Sequence, residues 1–66
     1  MDEIDIWRMA QAAIDRYGRN AQSHAAEQAD DMIYHGDVGG LSVWLRIGYA
    51  IDELQRLAPG VNETVH

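Results

Sequence analysis

His24, Gln28, Asp31 and His35 recur at intervals of four, three and four residues, with Glu27 beside them, so on a helix they form one polar stripe. Two imidazoles and a carboxylate are zinc-ligand chemistry. The spacing works against a shared ion, because His24 and His35 lie about three turns apart, roughly 16 Å along the axis at about 1.5 Å per residue. Only Asp31 and His35 are close enough to be metal candidates, and they would need ligands from another chain. The favoured reading is a polar seam beside an apolar face, with His35 suited to a helix C-terminus; neither metal nor cofactor is expected.

Other reactive arrangements are thinner still. The chain has no cysteine, which removes thiolate nucleophiles, disulfides and thiolate zinc sites. Ser23 and His24 are adjacent, so on a helix they point about 100° apart and not at each other. Ser42 falls near a helix start, where a hydroxyl serves as a local cap. The segment Gly36-Asp37-Val38-Gly39-Gly40 lacks the lysine and the Ser/Thr of a phosphate-binding loop and reads as a turn between helices. No catalytic residue emerges, and a non-enzymatic protein is expected.

These side chains must be carried by a small scaffold. Sixty-six residues make one domain with a small core, which disulfides, metals or self-association usually supplement. Asp2 is placed to cap a first helix, about 3–17, with Glu3 and Asp5 in its first turn. Trp7, Ala10, Ile14 and Tyr17 form its apolar stripe, flanked by Ile6 and Ala13. Gly18 suits the end of that helix and Asn20 the cap of a second, about 20–35, in an antiparallel hairpin. The second helix shows a thin face of Ala21, Ala25, Ala29, Met32 and Ile33, and needs neighbours on both sides. Gly36 ends it, and Asp37 caps a third helix that starts at 38 or only at 41 and runs to 58, where Pro59-Gly60 stops it. The remainder, 59–66, reads as a frayed tail. The fold class is all-α: a small three-helix bundle, or a hairpin plus an arm.

The third helix organises the rest. Trp44, Ile47, Ile51, Leu54 and Ala58 recur at spacings of three, four, three and four, and Leu41, Leu45 and Gly48 widen the same face at about 100° per residue. An apolar arc this wide exceeds what two thin neighbours cover. A homo-oligomer is therefore expected, most simply a two-fold dimer, with Leu41, Trp44, Leu45, Gly48 and Ile51 at the interface and Gly48 permitting close helix approach. Trp7 and Trp44 are expected to be mostly buried. Asp52 and Gln55, at the margin of the arc, need polar partners if covered.

Charge restricts the partners. Eleven acids oppose five bases, all arginine, for a net charge of −6, and Arg8, Arg16, Arg19, Arg46 and Arg56 are dispersed, so direct nucleic-acid or anionic-membrane binding is disfavoured. Asp30, Asp31 and Asp37 raise the alternative of an acidic inhibitor or nucleic-acid mimic, weakened by acids that spread over several faces. No signal peptide or run of about 20 apolar residues occurs, which leads us to expect a cytoplasmic protein.

The segments Asp-Ile-Trp-Arg (5–8), Gly-Asp-Val-x-Gly (36–40), Trp44 with Arg46-Ile47, and Glu53-Leu54-Gln55-Arg56 resemble a family of small alphaproteobacterial proteins of unknown function. The resemblance runs over most of the chain and implies a bacterial, cytoplasmic helical protein, with no activity to carry over. In that family the turn reads Gly-Asp-Val-Glu-Gly, so Gly39 departs from the pattern and removes an acid from the first turn of the third helix.

Overall fold

Glycine and aspartate punctuation sets the helix boundaries. The computed structural model describes residues 2–57 and is all-α: α1 is Glu3–Tyr17, α2 Ala21–His35 and α3 Val38–Arg56, with a 3₁₀ turn, Gly18–Asn20, between α1 and α2. The expected tail, 59–66, and the last expected helical residue, Ala58, lie outside the described residues.

Two expected caps are not formed as such. Asp2 has the extended backbone of an N-cap, but its side chain accepts no cap hydrogen bond; its carbonyl takes the Ile6 N–H at 3.1 Å, and Glu3 and Asp5 complement the helix N-terminus electrostatically. Asn20 does not cap α2 either, because the 3₁₀ turn already supplies a partner, the Gly18 carbonyl, for the Ala21 N–H. Gly18 makes this bend at φ 59° and ψ −128° while its own N–H reaches back to the Ile14 carbonyl. An L-residue with a side chain rarely adopts that conformation.

The α2–α3 junction follows the sequence more closely. Gly36 is left-handed at φ 72° and ψ 22°, its N–H bonds to the Ile33 carbonyl at 3.1 Å, and the Asp37 N–H bonds to the Met32 carbonyl at 2.8 Å. This pair of bonds is the Schellman closure. The Asp37 carboxylate then accepts the Gly40 N–H at 2.8 Å, so α3 starts at Val38 and not at Leu41. A Cβ at Gly40 would collide with the Met32 sulfur and stand 2.7 Å from the Asp37 carboxylate, whereas one at Gly39 would be 3.8 Å from it.

Pairings between elements fix the direction of α3. Gln22 meets Gly48 and Met32 lies beside Gly40, so α2 and α3 are antiparallel. Glu3 approaches Arg46 at 3.7 Å and Gln55 donates to the Gly18 carbonyl at 3.1 Å, so α3 runs in the same sense as α1. Each of the first two helices packs more extensively on α3 than on the other. The expected hairpin of α1 and α2 is thus a weakly packed one, and α3 holds it together.

The core is built from small side chains. Ile6, Ala10 and Ala13 of α1, Ala21, Ala25 and Ala29 of α2, and Ile47, Ala50 and Ile51 of α3 are buried. Among the described residues only Ile47 and Ile51 are large and fully buried. Alanine at successive turns brings helix axes toward the close end of the usual 8–10 Å range but removes little area from water per residue. Trp7, Ile14, Val43, Trp44 and Leu54 pack against this cluster with part of each side chain in solvent, so both tryptophans are mostly covered, as their stripes suggest, without being fully buried. Ile33, expected on the inner face of α2, is exposed, because α3 approaches that helix along the Ala21–Ala25–Ala29 line. Asp52 and Arg56, one turn apart, pair at 3.4 Å, a contact that carries little stability at an exposed surface.

Candidate interaction surface

The polar stripe of α2 separates into two environments. His35 contacts Asp31 twice, with Nδ1 2.9 Å from the backbone carbonyl and 3.5 Å from the carboxylate, and both side chains are exposed. No cluster of three or more His, Asp or Glu side chains suited to a metal exists among the described residues. This geometry is that of a local helix-end contact.

His24, at the other end of the stripe, is half-buried. Its ring stacks on Tyr17 with centroids 4.3 Å apart and meets Trp44 edge-on at 5.6 Å. One side chain therefore links the end of α1, the start of α2 and the start of α3. Arg16 reaches over the Tyr17 ring at 5.8 Å. Sequence spacing gives no hint of this cluster, because its members come from three elements and none is patterned with the others.

The five expected interface residues divide. Ile51 is fully buried inside the chain together with Ile47, which corrects its assignment: the middle of the wide arc is covered by α1 and α2. Leu41 and Trp44 are half-buried. Gly48 faces α2, where its carbonyl accepts the Gln22 Nε2–H at 2.6 Å and a Cβ on it would lie 3.7 Å from that of Ala25. Gly48 thus faces α2 within its own chain, at a separation that would also admit a methyl group. Leu45 is 59% exposed and Tyr49, which the sequence did not single out for this surface, 69%.

Leu45 and Tyr49 stand over a shallow groove of about 350 Å³ floored by Ala25, Ala26, Ala29 and Gly48 and closed at one end by Gln22 and Asp52. The groove exists because α2 presents only methyl groups there. Val38, 77% exposed, and Ile33, 61% exposed, extend the apolar character along α3 and α2. The α2–α3 face opposite α1 is consequently a ridge of large side chains beside a trough of small ones.

Buried side-chain polar atoms all have partners among the described residues, so no orphaned side-chain donor or acceptor marks a ligand position there. No helix among them is long and apolar enough to cross a membrane. The chain matches no protein-family model, no curated protein and no solved structure.

Proposed function

We propose that the chain is a small, non-catalytic helical interaction protein that self-associates or docks a protein partner through the α2–α3 face. The observation that carries this reading is the exposure of Leu45 and Tyr49 beside the alanine trough. Side chains of that size gain roughly 1.5–3 kcal/mol each on full burial, and a protein whose core is mostly alanine has little stability to leave unclaimed. Contiguous apolar surface of this kind marks association sites in soluble proteins. The motif resemblance supports a bacterial cytoplasmic setting.

The test compares the wild-type chain with Leu45→Glu and Tyr49→Glu. Light scattering after size exclusion reads self-association, and a crosslinked pull-down from native-host lysate reads heterologous association. Loss of association in both variants, with helical circular dichroism unchanged, is the expected result. A wild-type chain that associates with nothing, in either assay, overturns the reading.

A further inference from the structure

Resting on that reading, we infer that the occupant of the α2–α3 face is a second copy of this chain, related by a two-fold axis parallel to the helices, so that α3 of each copy packs on α2 of the other.

The argument is one of height. Gln22 is level with Gly48 and Met32 with Gly40, so Leu45 lies at the level of Ala26 and Tyr49 at that of Gln22, and these four residues line one groove. A two-fold axis along the helices preserves height and exchanges left for right. It sets Leu45 of one copy over Ala26 of the other, and Tyr49 over Gln22, with no sliding, and does so twice. An axis perpendicular to the helices would instead oppose ridge to ridge and trough to trough, which leaves the alanine surface uncovered. The face is therefore self-complementary under only the first of these operations.

Charge agrees with this choice. Asp52, whose carboxylate also contacts Arg56 of its own chain at 3.4 Å, lies at one end of the groove, one turn beyond Gly48, and the residue about level with it is Arg19, in the 3₁₀ turn that leads into α2. Arg19 is exposed and has no ion-pair partner among the described residues of its own chain. The proposed axis brings Asp52 of each copy to the height of Arg19 of the other, where opposite charges at the rim fix register and orientation.

The chain contains no cysteine, so introduced thiols report contacts without background. Leu45→Cys in unlabelled protein and Ala26→Cys in nitrogen-15-labelled protein are mixed, oxidised and weighed by mass spectrometry. A mixed-isotope disulfide that outpaces both like-with-like products is expected. A dominant link between two Leu45→Cys chains overturns the axis while leaving the face as the interface. A wild-type dimer in which neither pair links overturns the face as well. A chain that stays monomeric at millimolar concentration overturns the second copy, and the pull-down then decides whether another protein takes its place.

A charge exchange supplies an independent arm. Asp52→Arg or Arg19→Glu alone should raise the dimer dissociation constant by roughly two- to thirty-fold, two surface pairs being lost by symmetry. The double variant should recover most of that loss. Additive effects with no recovery overturn the pairing.

Discussion

The Gln22 amide on α2 donates to the Gly48 carbonyl in the middle of α3 at 2.6 Å, a polar tie beside the buried alanines of α2. Gly48 leaves space beside this bond: a Cβ there would sit 3.5 Å from the Gln22 carbonyl oxygen and 3.7 Å from Ala25 Cβ, both ordinary contacts. Gly48→Ala should therefore stabilise the fold by about 0.5–1 kcal/mol through helix propensity, and Gln22→Ala should cost about 1 kcal/mol through the lost bond. Urea unfolding of both in a Leu45→Glu background keeps association out of the measurement. A destabilising Gly48→Ala would mean that α2 and α3 are closer than these distances.

Neighbouring glycines at the start of α3 should respond in opposite ways. Gly39→Ala meets only the Asp37 carboxylate at 3.8 Å and should add about 0.5–1 kcal/mol of stability. Gly40→Ala gains the same propensity but must displace Met32 and the Asp37 carboxylate that caps the helix, and loss of such a cap costs about 1 kcal/mol. We expect Gly40→Ala to be neutral to destabilising and clearly below Gly39→Ala. Thermal unfolding of the two variants side by side tests the order.

The His24 cluster yields a coupling experiment. With His24 on the Tyr17 face and Trp44 at its edge, a double-mutant cycle of Tyr17→Ala and His24→Ala should return about 0.5–1.5 kcal/mol of interaction. His24→Ala should also change Trp44 fluorescence, read in a Trp7→Tyr background. A coupling indistinguishable from zero would place the two rings apart in solution.

Much of this fold is legible in the sequence, and the failures have physical causes. Gly18, Gly36 and Asp37 announce their turns because positive φ and a short acceptor side chain do chemistry that few other residues do. Asp2 and Asn20 look equally suited to capping, yet no local signal shows that a 3₁₀ turn already satisfies the α2 terminus. The wide arc of α3 is plain from its periodicity, but how it is shared is not. Ala50 is buried, while the larger Leu45 is exposed, because the trough and the core are set by where α2 lies, which is a tertiary fact. Hydrophobic size on a wheel ranks Leu45 above Ala50 and so inverts them. Ile51, assigned to an interface, is covered within its own chain for the same reason.

That inversion leads to the sharpest test of how α3 divides its apolar surface. Ile51 is fully buried beside Ile47, so Ile51→Ala removes methyl and methylene groups from a site where the alanine-rich surroundings have few atoms to move into the space. Its cost should fall in the range of about 2–5 kcal/mol, enough to unfold much of a domain of marginal stability. Leu45, less than two turns away, is mostly solvated in the single chain, and Leu45→Ala should alter the unfolding free energy of the monomer by less than about 0.5 kcal/mol. Association should reverse the ranking, because Leu45→Ala truncates the ridge itself. Chemical unfolding at low and high protein concentration separates the two effects. Wild-type stability should rise with concentration, Leu45→Ala should lose that dependence, and Ile51→Ala should be weakened at low concentration already. If Ile51→Ala proves mild and Leu45→Ala severe in dilute protein, the helix is rotated about its axis relative to the arrangement described here.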